Sequence, residues 1–375
     1  MDNPFELFNY RGPDYFCDRE DDLELLNEAF QNRRNLVLFS DRRLGKSHLI
    51  HHFHHHLETQ KNVITIYLDV LNTRSDEDFI NAFVSAVTRK FSEEESKLSK
   101  IIKTFQRFQP SIKIDAITGN PELKLEIKDG SDVSASMTGV MELLEESRQT
   151  IQIAIDEFQV IETYKNGSLI DATLRSHLIS SPKLHLLFSG SETHLLAGLF
   201  STQKKPLFGS TAQMTIHKIG YAPYFEFIKK HFEENEKTIR DQHIHEILTW
   251  SETYTFYTHF LCNQVFGNTN KEVDPYILNK SKLQCLKQFE VSFLQLENIL
   301  PKNQWNLLVA VAKEGQVDQI TKQSFLSKYG FSGSSALQSV EALQSKHLLF
   351  EKLDNNENYY YTNDIFFKRW VEQFR

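Results

Sequence analysis

The chain alternates between short, continuously apolar runs and longer stretches whose apolar positions recur at helical spacing. The runs "NLVLFS" (35–40), "VITIYLDV" (63–70), "TIQIAID" (150–156) and "LHLLFSG" (184–190) are bounded by turn residues, and a weaker fifth spans 213–219. Helix-period segments at 76–91 and 169–179 lie between them. Strands without apolar–polar alternation are buried on both faces, so this order predicts a parallel sheet covered by helices on either side. Ahead of the first run, Leu23, Leu25, Leu26, Ala29 and Phe30 form an amphipathic stretch. Asp18-Arg19-Glu20-Asp21 is expected to cap that helix and complement its dipole.

One segment breaks the rhythm. "SIKIDAITGNPELKLEI" alternates about a Thr118-Gly119-Asn120-Pro121 turn, with Ile112, Ile114 and Ala116 before it and Leu123, Leu125 and Ile127 after it. It predicts a β-hairpin inserted at about 110–128, a local decoration of the core. From Gly220 to about Asn298 the pattern is helical throughout. "KNQWNLLVAVAKEG", "TKQSFLSKYG" and the stretch from Ser332 to Thr362 then give three short helices and a two-stranded hairpin turning at Asp354-Asn355-Asn356, the order of a winged helix. The expected division is a core over 1–219, in which 1–34 is an N-terminal segment, a helical lid over 220–298 and a winged helix over 299–375.

Composition narrows the setting without choosing the function. The 375 residues are 40% apolar and 25% charged, with a net charge of −8, which speaks against wholesale attraction to nucleic acid or anionic lipid. Cys17, Cys262 and Cys285 are widely spaced and odd in number, which fits a reducing compartment. No run reaches the length of a membrane span, and the first ten residues lack the features of a secretory leader; a cytoplasmic location is expected.

The chemistry concentrates in "NLVLFSDRRLGKSHLI", where an apolar strand enters a basic turn ending Gly45-Lys46-Ser47 and a helix follows. This is the context of a phosphate-binding loop, whose consecutive amides face one concavity at a helix N-terminus. Ser40 stands where the motif's first glycine would be; that position shapes the strand exit, whereas Gly45, Lys46 and Ser47 make the contacts. The candidate nucleotide-binding residues are Ser40, Asp41, Arg42, Arg43, Leu44, Gly45, Lys46, Ser47 and His48. Lys46 would reach the outer phosphates and Ser47 would hold Mg²⁺. The strand "IQIAID" ends in Asp156-Glu157, with Asp156 placed as the second metal ligand and Glu157 to activate or orient water. The strand "LHLLFSG" brings Ser189 and Ser191 to the same sheet edge, where one or the other would bond the water or the terminal phosphate.

Together these residues resemble the archaeal-type ATPase family, P-loop ATPases close to the AAA+ and STAND groups, over almost the whole chain. "YFCDRE", "SDRRLGKS", "YLDVLNT", "IDEFQ" and "LLFSGS" match its segments in order, and "LPKNQWNLLVAVAKEG" and "YYTNDIFFKRWV" resemble its closing winged helix. The resemblance implies an AAA+-like core with a helical lid and winged helix, ATP hydrolysis with Mg²⁺, and a role for Arg19 near the adenine pocket. It also marks departures. AAA+ relatives usually place an arginine after the fourth core strand. Here that stretch offers Lys204 and Lys205, with Arg175 on the preceding helix as an alternative cation. The lid lacks the glycine-x-proline signature of STAND relatives.

The histidine run His48–His56 has i,i+4 pairs on a helix face but no interleaved Cys or acidic partner, and is not taken as a metal site. The third winged-helix helix is mostly Ser, Gln and Ala with Glu341, and the wing sets Glu351, Asp354 and Glu357 against Lys352. An acidic wing suits an intramolecular or protein contact better than DNA; the expected partners are ATP and a protein or a second copy of the chain in a homo-oligomer. The expected function is a nucleotide-controlled ATPase switch; the rival readings are a nucleotide-gated DNA-binding protein and a non-hydrolysing scaffold.

Overall fold

The computed structural model describes residues 2–60, 62–91, 95–114, 121–354 and 357–375. The chain forms two compact units, Tyr10–His217, and Lys218–Arg375 together with the segment up to Asn9.

The first unit runs α1 (Glu20–Gln31), β1 (Leu36–Phe39), α2 (Lys46–Glu58), β2 (Val63–Asp69), α3 (Asp76–Phe91), α4 (Glu95–Thr104), β3 (Ser111–Ile114), β4 (Pro121–Lys124), α5 (Gly130–Glu145), β5 (Thr150–Asp156), α6 (Gly167–Ser180), β6 (Leu184–Gly190), α7 (Thr193–Ser201) and β7 (Ala212–Thr215). Five strands form a parallel sheet in the order β2-β5-β6-β1-β7, as the apolar runs predict. Side chains alternate across a strand, so β1 sends Val37 and Phe39 into one core with Phe79, Phe83 and Met137. Leu36 and Leu38 enter the other with Leu26, Leu49, Ile50 and Phe53. Burial on both faces is why these strands read as continuous apolar runs. The register aligns Leu38 with Ser189, Phe39 with Gly190 and Asp69 with Asp156, bringing the carboxyl ends of four strands to one edge.

The expected hairpin is the antiparallel pair β3–β4, with Ile112 opposite Leu123. Leu123 and Leu125 are buried, and Asn81 of α3 accepts the Leu125 N–H at 2.7 Å. Ala116 and most of the anticipated turn, Thr118 to Asn120, lie outside the described residues. The start of α1 differs from expectation. Asp18 and Arg19 both take left-handed backbone, and no side chain caps the helix. The turn instead sends the Arg19 guanidinium inward, while Glu20, Asp21 and Asp22 supply the acidic first turn.

The second unit continues with α8 (Tyr221–Glu234), α9 (Asp241–Ser251), α10 (Thr255–Asn268), α11 (Pro275–Ile299), α12 (Lys302–Glu314), β8 (Gln316–Val317), α13 (Gln323–Tyr329), α14 (Gly333–Ser345), β9 (Phe350–Asp354), β10 (Glu357–Tyr361) and α15 (Ile365–Phe374). Strand order β8-β10-β9 adds a two-residue strand to the expected hairpin, whose turn residues Asn355 and Asn356 lie outside the described residues. The aromatic end of the chain is helix α15, with Phe366, Phe367 and Trp370 buried. The first residues belong to this unit through Phe5, fully buried among Phe227, Phe232 and Phe266. Reciprocal bonds tie Asn3 and Phe5 to Asn263. No helix among the described residues is long and apolar enough to cross a membrane.

Candidate functional site

Strand β1 delivers a buried Ser40, and the turn Asp41–Leu44 carries the chain to Gly45 at the start of α2. Gly45 has φ 87°, a left-handed conformation that glycine adopts without strain, and no side chain caps α2. Ser40 is not among the residues with left-handed backbone, so a side chain is tolerated at this place; its Oγ donates to the Asp41 carbonyl at 3.0 Å. Arg19 supports the loop from below: one guanidinium nitrogen donates to the Leu44 carbonyl at 2.9 Å and another meets Asp22 at 2.8 Å. Asp41, Arg42 and Arg43 are exposed, and His48 follows half-buried in the first turn of α2.

The carboxylates at the end of β5 converge on this loop. Asp156 Oδ2 accepts from Ser47 Oγ at 2.6 Å and from the Tyr67 hydroxyl at 3.0 Å. Its Oδ1 accepts from Ser189 Oγ at 2.5 Å and the Glu157 N–H at 3.0 Å, and lies 3.3 Å from Lys46 Nζ. Lys46 Nζ is also 3.1 Å from Glu157 Oε1, so one buried ammonium bridges both carboxylates. Glu157 Oε2 accepts from Gln159 Nε2 at 2.7 Å and from the Ser191 hydroxyl and N–H at 2.9 and 3.2 Å. Arg42 reaches the same edge, donating to Ser191 Oγ at 3.3 Å and pairing with Glu192 at 3.1 Å.

Burial alone would raise the Asp156 carboxyl, but Lys46 and the hydroxyls of Ser189, Ser47 and Tyr67 outweigh it and hold it below the usual carboxylate range. Glu157 is lowered in the same way, burial being overcome by Lys46, the Gln159 amide and the Ser191 N–H against the opposing charge of Asp156. The Tyr67 phenol is pushed up by burial and by the charge of Asp156, so it remains a donor. Both carboxylates are therefore ionised at neutral pH and closely matched by donors.

The structure thus brings together Lys46, Ser47, Asp156, Glu157, Ser189 and Ser191, with Arg42 beside them. It places the other cations elsewhere. Arg175 holds the carbonyls of Pro206 and Phe208, Lys205 pairs with Glu162 at 2.6 Å, and Lys204 is exposed. The histidines of α2 serve packing: His52 stacks on Phe16 at 4.2 Å, His51 lies 4.3 Å from the Tyr67 ring, and His54 is buried. Burial, with the neighbouring His55 and His56, lowers His52 to about 4. Burial, with His51, lowers His54 to about 3. Among the described residues no cluster of three or more His, Cys, Asp or Glu is arranged to hold a metal.

Two residues of this cluster escaped sequence reasoning. Tyr67 sits on β2, in register with Ala154, and its hydroxyl reaches Asp156 across the strand; its signal was a phenol within an otherwise apolar run. Gln159 follows the Asp-Glu pair in "IDEFQ" and restrains Glu157. Its approach requires Gly190, because a Cβ there would stand 2.0 Å from Gln159 Oε1.

Comparison with known proteins gives the family and the fold. The profile of a family described as an ATPase domain predominantly from Archaea matches residues 16–253, more than half of the chain. The chain belongs to this archaeal-type ATPase family. A profile described as a probable winged helix domain matches residues 291–373 of the ATPase. Its fold resembles that of a Walker-type ATPase of Pyrococcus abyssi at 18% identity and TM-score 0.68, covering 98% of this chain and 99% of that one. The ORC2 protein of Aeropyrum pernix, solved in ADPNP–ADP complexes, is similar at 12% identity and TM-score 0.61, with 99% and 96% covered. The ORC1 protein of the same organism, solved in complex with DNA, is similar at 10% identity and TM-score 0.55, with 96% and 94% covered. Identities this low establish a shared fold. No curated protein sequence matches the chain. Membership in the family carries the P-loop ATPase fold and nucleotide binding with it.

Proposed function

We propose that this ATPase binds ATP with Mg²⁺ and hydrolyses it, acting as a nucleotide-controlled switch. The observation that carries the reading is the 2.6 Å approach of Ser47 Oγ to Asp156 Oδ2, with Lys46 shared between Asp156 and Glu157. A hydroxyl and an ionised carboxylate are hard oxygen donors and suit Mg²⁺, which takes one or two protein ligands and completes its shell with water and phosphate. Ser47 and Asp156 would hold the ion, which when bound supplies neutralisation of charge on the outer phosphates. Loop amides from Ser40 to His48 would cradle the phosphates, and Lys46 would turn its ammonium toward them. That movement frees Glu157 Oε1 to accept a proton from, or orient, the attacking water. Ser189 would keep Asp156 in place, and Ser191 would contact the water or the terminal phosphate. We assign the ATPase core to 1–219, except that the segment up to Asn9 packs with the helical unit, the lid to 220–298 and the winged helix to 299–375.

The winged helix is proposed to meet protein rather than DNA. The exposed side of α14 presents Ser334, Leu337, Gln338 and Glu341, while Lys322 and Lys328 are paired with Asp318 and Glu314. Phosphate binding depends on cations free to displace counterions. A DNA mobility shift at low salt, with and without ATP, is expected to show no retention.

The deciding measurement is thermal stabilisation by ATP, ADP and GTP, each with and without Mg²⁺, followed by multiple-turnover phosphate release. Stabilisation by ATP that grows with Mg²⁺, together with turnover, is expected. A protein indifferent to every nucleotide overturns the proposal; stabilisation without turnover reduces it to a binding scaffold.

A further inference from the structure

Helix α11, 25 residues long, buries Leu278, Ser281, Cys285, Leu286 and Phe293 on one side. Its opposite side mixes charges with more exposed apolar side chains than a solvated helix normally presents. Tyr276 is 73% exposed, Val291 65%, and Leu283 and Leu294 39% each. Lys280 and Lys287 lie in the same stripe and Glu290 at its border, all within about 100° of one another at 3.6 residues per turn. Apolar positions recurring at this spacing over about 27 Å of helix are the mark of a helix–helix seam.

Charge chooses the occupant. Nearby cations are matched within the chain: Lys282 with Glu246, Arg240 with Glu272, Arg375 with Glu297. Lys280, Lys287 and Glu290 make no ion pair among the described residues; Glu290 accepts only a long bond from Trp370 Nε1 at 3.4 Å. Six of the seven stripe positions are symmetric about Cys285: Tyr276 and Leu294 are equidistant from it, as are Lys280 and Glu290, and Leu283 and Lys287, while Val291 falls opposite Asn279. A uniformly acidic partner helix would be repelled by Glu290. A second copy running antiparallel satisfies both signs.

We propose that α11 is the seam of an antiparallel homodimer centred on Cys285. Tyr276 packs on Leu294 of the second copy, Lys280 pairs with Glu290 of the second copy, and Leu283 lies along the Lys287 methylenes. A two-fold axis repeats each contact, the self-complementarity an isologous interface requires. A face of about 27 Å by 10 Å, counted on both copies with its side-chain relief, buries on the order of 1,000 Å², the lower limit for a specific interface. The dimer is therefore expected to dissociate on dilution.

Sedimentation velocity on the full chain across a dilution series tests this. Lys280→Glu and Glu290→Lys should each weaken the dimer about tenfold by opposing like charges. The double variant should recover most of the loss, and Leu294→Glu should be monomeric. Lys280 is exposed, so the thermal melt of Lys280→Glu should stay unchanged and separates lost association from lost folding. Glu290→Lys also removes the acceptor of the buried Trp370 Nε1, so its melt is read beside that of Glu290→Gln. A wild type monomeric at every concentration assigns the stripe to another occupant and overturns the proposal. So does a dimer indifferent to the single reversals, or a double variant that fails to recover.

Discussion

Two carboxylates of the core unit are equally hidden from solvent, Asp156 at 1% exposure and Asp171 at 2%, and their surroundings drive them in opposite directions. Asp156 closes β5 at the sheet edge, where an ammonium, three hydroxyls and a backbone N–H converge, and it stays ionised. Asp171 lies within α6, its Oδ1 has no partner, and burial together with the charge of Glu162 pushes it up to about 7 against the pull of Lys205. A search guided by perturbed acidity alone would choose Asp171. The contrast teaches that convergence marks the candidate site: donors from two strands, helix α2 and the residue after β5 meet at Asp156, whereas Asp171 is a group whose burial is poorly compensated.

The widest separation between the two places is expected in chemistry. Glu157→Gln should keep nucleotide-induced stabilisation while lowering phosphate release about a hundredfold or more; an unchanged release rate removes Glu157 from the mechanism. Lys46→Ala leaves the buried Asp156 and the half-buried Glu157 without their shared cation. It should lower stability by about 3 kcal/mol in thermal or denaturant unfolding and abolish stabilisation by ATP. Because both carboxylates are depressed from ordinary values of 3.8 and 4.5, the stability they contribute is present above those values and lost on further acidification. The penalty of Lys46→Ala should therefore shrink in acid.

Asp171→Asn should act with the opposite sign. A carboxyl raised from 3.8 to about 7 contributes stability that is complete below its unfolded value and lost as pH rises through 7. The variant should gain about 1–2 kcal/mol at pH 8 and little at pH 4, with unchanged phosphate release. A loss of turnover there would erase the distinction between the two carboxylates. The smallest effect is expected for Tyr67→Phe, about 1 kcal/mol, since Asp156 keeps its other donors; its acid-unfolding midpoint should move upward slightly.

Much of the core and of its candidate site was legible because local rules carry it. Both-face burial makes β5 and β6 continuous apolar runs, and their bounds in the structure are those of the runs. Gly45-Lys46-Ser47 and Asp156-Glu157 announce themselves because a loop amide nest and a strand-end carboxylate need those residue types at those places. Tyr67 and Gln159 did not, since a phenol in a strand or an amide after a turn acquires meaning only from what lies across the sheet. The residues Asp18-Arg19-Glu20-Asp21 predict a helix cap, but two left-handed residues turn Arg19 instead to the Leu44 carbonyl. The short β8 was hidden because a two-residue strand has no period.

The sequence by itself determined the parallel sheet, the Gly45-Lys46-Ser47 turn into α2, the paired carboxylates and the closing winged helix, because each depends on hydrophobic periodicity or on contacts between near neighbours in the chain. Tertiary structure alone decided which donors surround Asp156, that Gln159 restrains Glu157, where the cations Arg175 and Lys205 are spent, and that the apolar stripe of α11 faces outward. Those are relations between residues far apart in sequence. They are set by strand order and register, which bring side chains from separate segments within hydrogen-bonding distance.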